Sequence, residues 1–209
     1  MKNNTVIGID EAGRGPLFGP VAIGTVMVDA TLFKKVRKAG ALRGLTDSKK
    51  LSEKERERLF TELKKLEADN VVRCACTLVS AKIIDTKGIS YAIKSGIKKN
   101  LLQLLGKKWD EATTHNVQIL LDGSLKAPAE FTRQKTIIKG DLKEPIISAA
   151  SIIAKVTRDR YVTKIAKSKK YARYKIAEHK GYGTAAHRAL IVKYGLSDMH
   201  RKSFCKRLI

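Results

Sequence analysis

Five short apolar runs interleaved with longer stretches of helical periodicity most narrow the folds open to this 209-residue chain. The runs are Val6–Asp10, Val21–Val28, Val71–Val79, Val117–Leu121 and Thr136–Lys139, each read as a strand. Ser52-Glu53-Lys54-Glu55 reads as a capping box, with Leu59, Leu63 and Leu66 at helical spacing behind it. Ser90 is expected to cap another helix, whose stripe is Ile93, Ile97, Leu101 and Leu104, with Gly106 near its stop. A long helix is expected from Pro145 to about Ala166, proline being tolerated in a first turn. A last helix, Ala185–Tyr194, should stop at Gly195. Strands alternating with helices imply an α/β architecture around a mixed sheet. The lysine-rich stretch Lys164–Lys175 marks the expected boundary between a core, residues 1–165, and a small helical C-terminal portion, residues 166–209.

Charge narrows the partner. Lys and Arg number 43 against 20 Asp and Glu, a net charge of +23. Residues 1–125 hold 22 basic and 14 acidic side chains, whereas residues 126–209 hold 21 and 6. An excess this lopsided suits a polyanion, and nucleic acid is the first candidate, ahead of an anionic membrane or a ribosomal scaffold. Cys74, Cys76 and Cys205 show no paired metal spacing, and Cys74-Ala75-Cys76 lies inside an apparent strand, which suits a reducing compartment. The longest apolar stretch, Leu17 to Val28, is too short to span a bilayer and is interrupted by Pro20. Asp10 and Glu11 break any signal-like core, so a cytoplasmic protein without a membrane partner is expected.

The chemistry gathers where apolar runs end. Asp10, Asp122 and Asp141 each close such a run, and Glu11 adjoins the first. In open sheets functional groups collect in the crevice at strand ends. Acidic residues after strands are also ordinary turn formers. Four of them converging would repel strongly without a cation. Hard oxygen donors favour Mg²⁺ or Mn²⁺ over zinc, and two such ions about 3.5–4 Å apart can clamp a phosphodiester. Next comes Gly13-Arg14-Gly15, whose glycines let backbone approach a sugar. A dinucleotide fingerprint does not fit, because the spacing is Gly13-x-Gly15-x-x-x-Gly19 and Pro16 sits where a helix amide is needed. Ser148, Ser151 and Lys155 share one face of the long helix and could offer hydroxyls and an ammonium to a phosphate backbone. A Ser–Lys nucleophilic pair there lacks an oxyanion partner. In His179-Lys180-Gly181-Tyr182-Gly183-Thr184, a tyrosine raised by flanking glycines can stack on a sugar or base.

Several ordered blocks are similar to the ribonuclease HII family. They are Asp10-Glu11-Ala12-Gly13-Arg14-Gly15-Pro16-Leu17-Phe18-Gly19-Pro20, Asp47-Ser48-Lys49-Lys50-Leu51, the segment Ser148–Asp159, and His179–Thr184, with an echo at His200-Arg201-x-Ser203-Phe204. Arg14, where the related type III enzymes carry lysine, also favours type HII. The resemblance implies a ribonuclease H-like fold and a two-metal site of Mg²⁺ or Mn²⁺ held by Asp10, Glu11, Asp122 and Asp141, with Asp10 shared between the ions. It implies that Gly13, Arg14 and Gly15 read the ribonucleotide. Lys49 is then expected near a backbone phosphate and Tyr182 at the deoxynucleotide after the ribonucleotide. The expected activity is hydrolysis of the RNA strand of RNA–DNA hybrids, and cleavage 5′ of single ribonucleotides embedded in duplex DNA. Two-metal displacement by water would leave 3′-hydroxyl and 5′-phosphate ends. A non-catalytic basic nucleic-acid-binding protein and another two-metal nuclease of the same fold are the alternatives. A pure binder has no use for four carboxylates in a basic groove. No QxxLxxFF-like sliding-clamp peptide is read near the C-terminus, and a monomer is expected.

Overall fold

The computed structural model describes residues 4–46, 48, 50–106 and 109–208. Its elements follow in chain order: β1 (Thr5–Ala12), β2 (Val21–Asp29), α1 (Ala30–Lys38), α2 (Glu53–Ala68), β3 (Val72–Val79), α3 (Ala81–Lys87), α4 (Ile89–Leu105) and α5 (Glu111–Asn116). After these come β4 (Val117–Asp122), β5 (Gln134–Ile137), α6 (Gly140–Lys143), α7 (Pro145–Ala166), α8 (Lys169–Ala172), α9 (Ile176–His179), α10 (Ala185–Tyr194) and α11 (Lys202–Cys205). The five strands form one sheet in the order β3-β2-β1-β4-β5. Antiparallel pairing joins β1 to β2 and β2 to β3, while β1–β4 and β4–β5 are parallel, so the sheet is mixed as expected.

Alternation along the strands sends side chains to two separate cores. Ile7, Ile9, Ile119 and Leu121 pack with Ile93, Ile97 and Leu101 of α4 on one face. On the other, Val26, Val28 and Leu120 meet α1, α2 and α7. The long helix α7 crosses β1 and β2 at two glycines. A Cβ on Gly8 would lie 2.2 Å from the carbonyl oxygen of Ile146, and one on Gly24 2.2 Å from that of Ala150. Only glycine allows so close an approach, and the facing helix surface is correspondingly built of Ala149, Ala150, Ser151 and Ala154. Across the sheet, buried Asn100 stitches α4 to the strands. Its amide donates to the Ile23 carbonyl (2.7 Å) and the Thr25 hydroxyl (2.9 Å), while its oxygen accepts from Thr77 (2.6 Å).

The capping box at Ser52 forms with both of its hydrogen bonds, and α7 and α10 have the expected bounds. Two expectations shift. Gly88, not Ser90, precedes α4, because its φ of +83° both ends α3 and starts the next helix, leaving Ser90 inside the first turn. The fifth strand ends at Ile137 rather than Lys139, since Lys139 takes a left-handed backbone, φ +55°, and leads into α6. The helix α1 follows β2 directly, Asp29 capping it through the amide of Leu32 (3.0 Å). Burial pushes the thiol of Cys74, in the core, up to about 12 and that of the partly buried Cys76 up to about 11, so neither is a reactive thiolate.

Candidate active site

Parallel pairing places the carboxylates. Ile9 of β1 is in register with Leu121 of β4, the last pair of that ladder, so the next residues, Asp10 and Asp122, face the same side where the two strands part; Asp122 ends β4, while β1 runs on to Ala12 against β2. The Asp122 carboxylate accepts the amide of Gly140 at 2.7 Å, which brings the start of α6, and hence Asp141, beside it. A Cβ at Gly140 would lie 2.6 Å from Ile147 and 3.3 Å from the Asp122 carboxylate, so that contact depends on a glycine. The hydroxyl of Ser148 on α7 donates to the backbone carbonyl of Asp141 and pins this turn.

Asp10 is almost fully buried, and burial holds its carboxyl well above the ordinary range; Asp122 and Glu11 push it further the same way. The Ser151 hydroxyl and the Glu11 amide, the latter at 2.7 Å, act against that rise by hydrogen bonding to the carboxylate. Burial also raises Glu11, opposed by Arg14, whose guanidinium donates to it at 3.3 Å, and reinforced by Asp122. Negative charge is thus crowded into a partly dry corner. Among the described residues no three acidic, histidine or cysteine side chains make a closed metal cage. Glu11 is drawn toward Arg14 and Asp122 toward the Gly140 amide. The donor chemistry nonetheless fits a hard divalent cation: carboxylate oxygens throughout, with burial and the neighbouring carboxylates opposing the charge on Asp10 that a cation would offset.

The Gly13–Pro20 loop is held from below by two arginines that are fully buried. Arg158, from α7, donates to the carbonyls of Pro20 (3.0 Å), Lys180 (3.1 Å) and Phe18 (3.2 Å). Arg201 donates to those of Gly19 (2.9 Å), Arg14 (2.9 Å) and Gly13 (2.6 Å). Gly13 has φ +84°, and a Cβ there would strike the Arg158 side chain. Such satisfaction offsets the cost of burying a cation. Burial, reinforced by Arg158, pushes Arg201 down to about 9, still a cation at neutral pH. Arg14 and Gly15 are left on the outside of the loop, Gly15 with open space around its Cα.

Tyr182 stands beside this loop with 42% of its surface exposed. The Lys155 ammonium is 5.7 Å and the Arg158 guanidinium 5.8 Å from its ring centre. Gly181 makes the approach possible: its carbonyl accepts from the Leu17 amide (2.9 Å), and a Cβ on it would meet the Phe18 carbonyl at 2.7 Å.

The expected face of α7 is only partly available. Ser148 is committed to Asp141, and Ser151 to Asp10 and to the Ser48 hydroxyl at 2.7 Å, both serines being buried. They organise the carboxylates because α7 lies so close to the sheet. Lys155 is partly buried, pairs with Asp159 at 3.0 Å and is the member of the three nearest Tyr182. Lys49 and Asp47 lie outside the described residues. Arg158, Arg201 and the buried histidines His187 and His200 were assigned no role on sequence. Arg158, His200 and Arg201 stand inside blocks that marked the family, yet nothing in local pattern says that a charged side chain there turns inward; His187 lies outside every such block.

The family model for ribonuclease HII matches residues 7–207. A ribonuclease HII of Caldicellulosiruptor bescii is 40% identical over 204 residues, covering 98% of this chain and 88% of that relative. Among solved structures, the PCNA–RNase HII complex from Archaeoglobus fulgidus contains a chain similar to this one, with a TM-score of 0.70 and 25% identity over 97% of this chain and 96% of that one. The ribonuclease H2 of Pyrococcus horikoshii aligns with a TM-score of 0.66 and 28% identity, covering 98% and 96% of the respective chains.

Proposed function

The chain belongs to the ribonuclease HII family, and from that premise we propose that Asp10, Glu11, Asp122 and Asp141 hold the divalent cations with which it cuts RNA. It is an endoribonuclease, a hydrolase acting on the RNA strand of RNA–DNA hybrids, and its family depends on divalent metal. The observation that carries the residue assignment is that Asp10 and Asp122 directly follow the last paired residues of the parallel β1–β4 ladder, with Asp141 tied in through Gly140. Mg²⁺ or Mn²⁺ suits these oxygens, and when bound would activate water and stabilise the departing oxygen of an in-line displacement.

The chain's own residues supply the rest. Ser151 and the Glu11 amide orient Asp10, and Ser148 holds the turn bearing Asp141. Because Arg201 occupies the Gly13 and Arg14 carbonyls, the outward features of the loop are the Arg14 side chain and Gly15. These would lie along the ribose, where the 2′-hydroxyl distinguishes RNA from DNA. Tyr182 would stack at the following deoxynucleotide, with Lys155 near the backbone. This reading gives cleavage 5′ of a single embedded ribonucleotide, leaving 3′-hydroxyl and 5′-phosphate ends. It divides the labour between a core through residue 165, which holds the carboxylates, and a helical portion from 166 to 209, which carries Tyr182. Phe204 and Leu208 pack onto Leu17, Ile191 and Cys205, which ties the C-terminal portion to the Gly13–Pro20 loop. No helix among the described residues is long and apolar enough to cross a membrane, and the proposed location is the cytoplasm.

The test uses DNA duplexes carrying no, one or four ribonucleotides, with Mg²⁺ and with EDTA. Cleavage should occur only on the ribonucleotide-bearing strands, 5′ of the ribose and only with metal. Asp10→Asn should abolish turnover while leaving duplex binding and folding in place. Full turnover by that variant would refute the metal assignment.

A further inference from the structure

A chain of imidazoles runs under the Tyr182 loop, and its proton positions follow from its end groups. At one end the Ser197 amide donates to Nδ1 of His200 at 2.9 Å, so that nitrogen carries no hydrogen. At the other, Nδ1 of His187 lies 2.9 Å from the carbonyl oxygen of Tyr182, which can only accept, so that nitrogen must donate. The two Nε2 atoms between them are 3.1 Å apart. Only one arrangement satisfies all three contacts: His200 donates through Nε2 to the bare Nε2 of His187. Both rings must then be neutral. They are buried to 0% and 1% exposure, and that burial pushes each down to about 4.

The flank of the same loop is held similarly. His179 stacks on His187 with ring centres 4.1 Å apart, and its Nδ1 accepts from the Gly181 amide at 3.2 Å. Its Nε2 donates to the Tyr174 carbonyl at 2.9 Å. Beyond the imidazoles, the residue after His200 is Arg201, which grips the Gly13, Arg14 and Gly19 carbonyls. Two adjacent residues therefore reach in two directions, one toward Tyr182 and the other toward the Gly13–Gly15 loop.

We propose that His187, His200 and Arg201 are positioning residues that set Tyr182 and the Gly13–Gly15 loop at a fixed separation, and thereby determine how well the enzyme selects an RNA–DNA junction. The proposal rests on reading Tyr182 as the residue that meets the junction. The side chain of Tyr182 stays outside while its backbone is fastened from within, which is the arrangement a stacking platform needs. Hydroxyl and ring contribute nothing to selection unless their distance from Gly15 is held.

Two substitutions at one position separate positioning from packing. In His187→Asn the amide NH₂ stands near the former Nδ1 and can still donate to the Tyr182 carbonyl. In His187→Gln the amide lies near the former Nε2, where it can accept from His200 but loses Tyr182. The readout is kcat/KM on a duplex with one ribonucleotide divided by that on a duplex with four, alongside thermal unfolding. The Gln variant should lower that ratio about fivefold, the size of one lost buried hydrogen bond, and the Asn variant should keep most of it. Equal ratios for wild type and Gln would overturn the proposal. So would an equal loss in both variants that follows their loss of thermal stability, which is what mere packing gives. Tyr182→Ala is measured in parallel. If it keeps the wild-type ratio, the assignment of Tyr182 fails and takes this inference with it; if it lowers the ratio while Gln does not, the inference alone fails.

Discussion

Mild acid should weaken this fold through its two buried histidines. His187 and His200 stay neutral in the folded chain down to about pH 4, while in the unfolded chain they take up protons around the ordinary value of 6.5. Between those values the unfolded state holds more protons, so stability rises with pH across the window. The contribution is complete above about pH 6.5 and is lost as pH falls through about 4. A displacement of this size is worth about 3 kcal/mol for one ring. Both rings stay neutral in the folded chain while the unfolded chain binds a proton on each, so the two contributions add. About 2 kcal/mol for each ring, about 4 kcal/mol for the pair, should be gone by pH 5. Asp10 and Glu11 pull the other way, since their raised carboxyls are relieved by acid, so the comparison must be between chains that share them. Urea unfolding of the metal-free protein at pH 7 and pH 5 supplies it, for wild type and for the double variant His187→Asn, His200→Gln. The wild type should lose about 4 kcal/mol more than the variant between the two conditions. Parallel losses would show that the imidazoles ionise freely and that the deduced proton arrangement is wrong.

Gly24→Ala should destabilise the protein by about 1–3 kcal/mol or more, because its Cβ would meet the Ala150 carbonyl and the Ala154 backbone rather than a flexible side chain. Lifting α7 in this way also draws Ser151 from Asp10, so activity at 25 °C should fall beyond what the unfolded fraction explains; unchanged activity and urea midpoint would contradict the close approach. Binding to a junction duplex, measured in Ca²⁺, should weaken steeply with salt. Lys155→Ala should reduce the log–log slope by about 1, while Lys64→Ala, whose ammonium pairs with Glu67 on α2, should leave it alone. Equal slopes for the two variants would mean a diffuse rather than localised grip.

Much of this molecule is legible along the chain because its signals are local. Capping at Ser52, proline at the start of α7 and glycine after α10 act within a turn of the residues concerned, so those helices have their expected bounds. The end of β4 at Asp122 is likewise marked by where its apolar run stops, whereas β1 runs past the expected end at Asp10 to Ala12 because β2 goes on pairing with it. The limits of local reading appear at Gly88 and Lys139, whose positive φ values are imposed by how neighbouring elements must turn. Ser148 and Ser151 show the same limit in the site. Helical spacing correctly puts them on one face, but only the packing of α7 against Gly8 and Gly24 turns that face inward.

The sequence by itself determined the alternation of strands and helices, the acidic residues at the strand ends and the glycine-rich loops beside them, since each depends on residues a few positions apart. Tertiary structure alone decided which strands lie in parallel register, and so that Asp10 neighbours Asp122 across a gap of more than a hundred residues. It also decided that Arg158 and Arg201, from distant parts of the chain, turn their charge inward onto backbone carbonyls, and that three histidines gather beneath the Tyr182 loop. A cation or an imidazole can be buried only where partners converge on it from several elements, and that convergence is a property of the assembled fold.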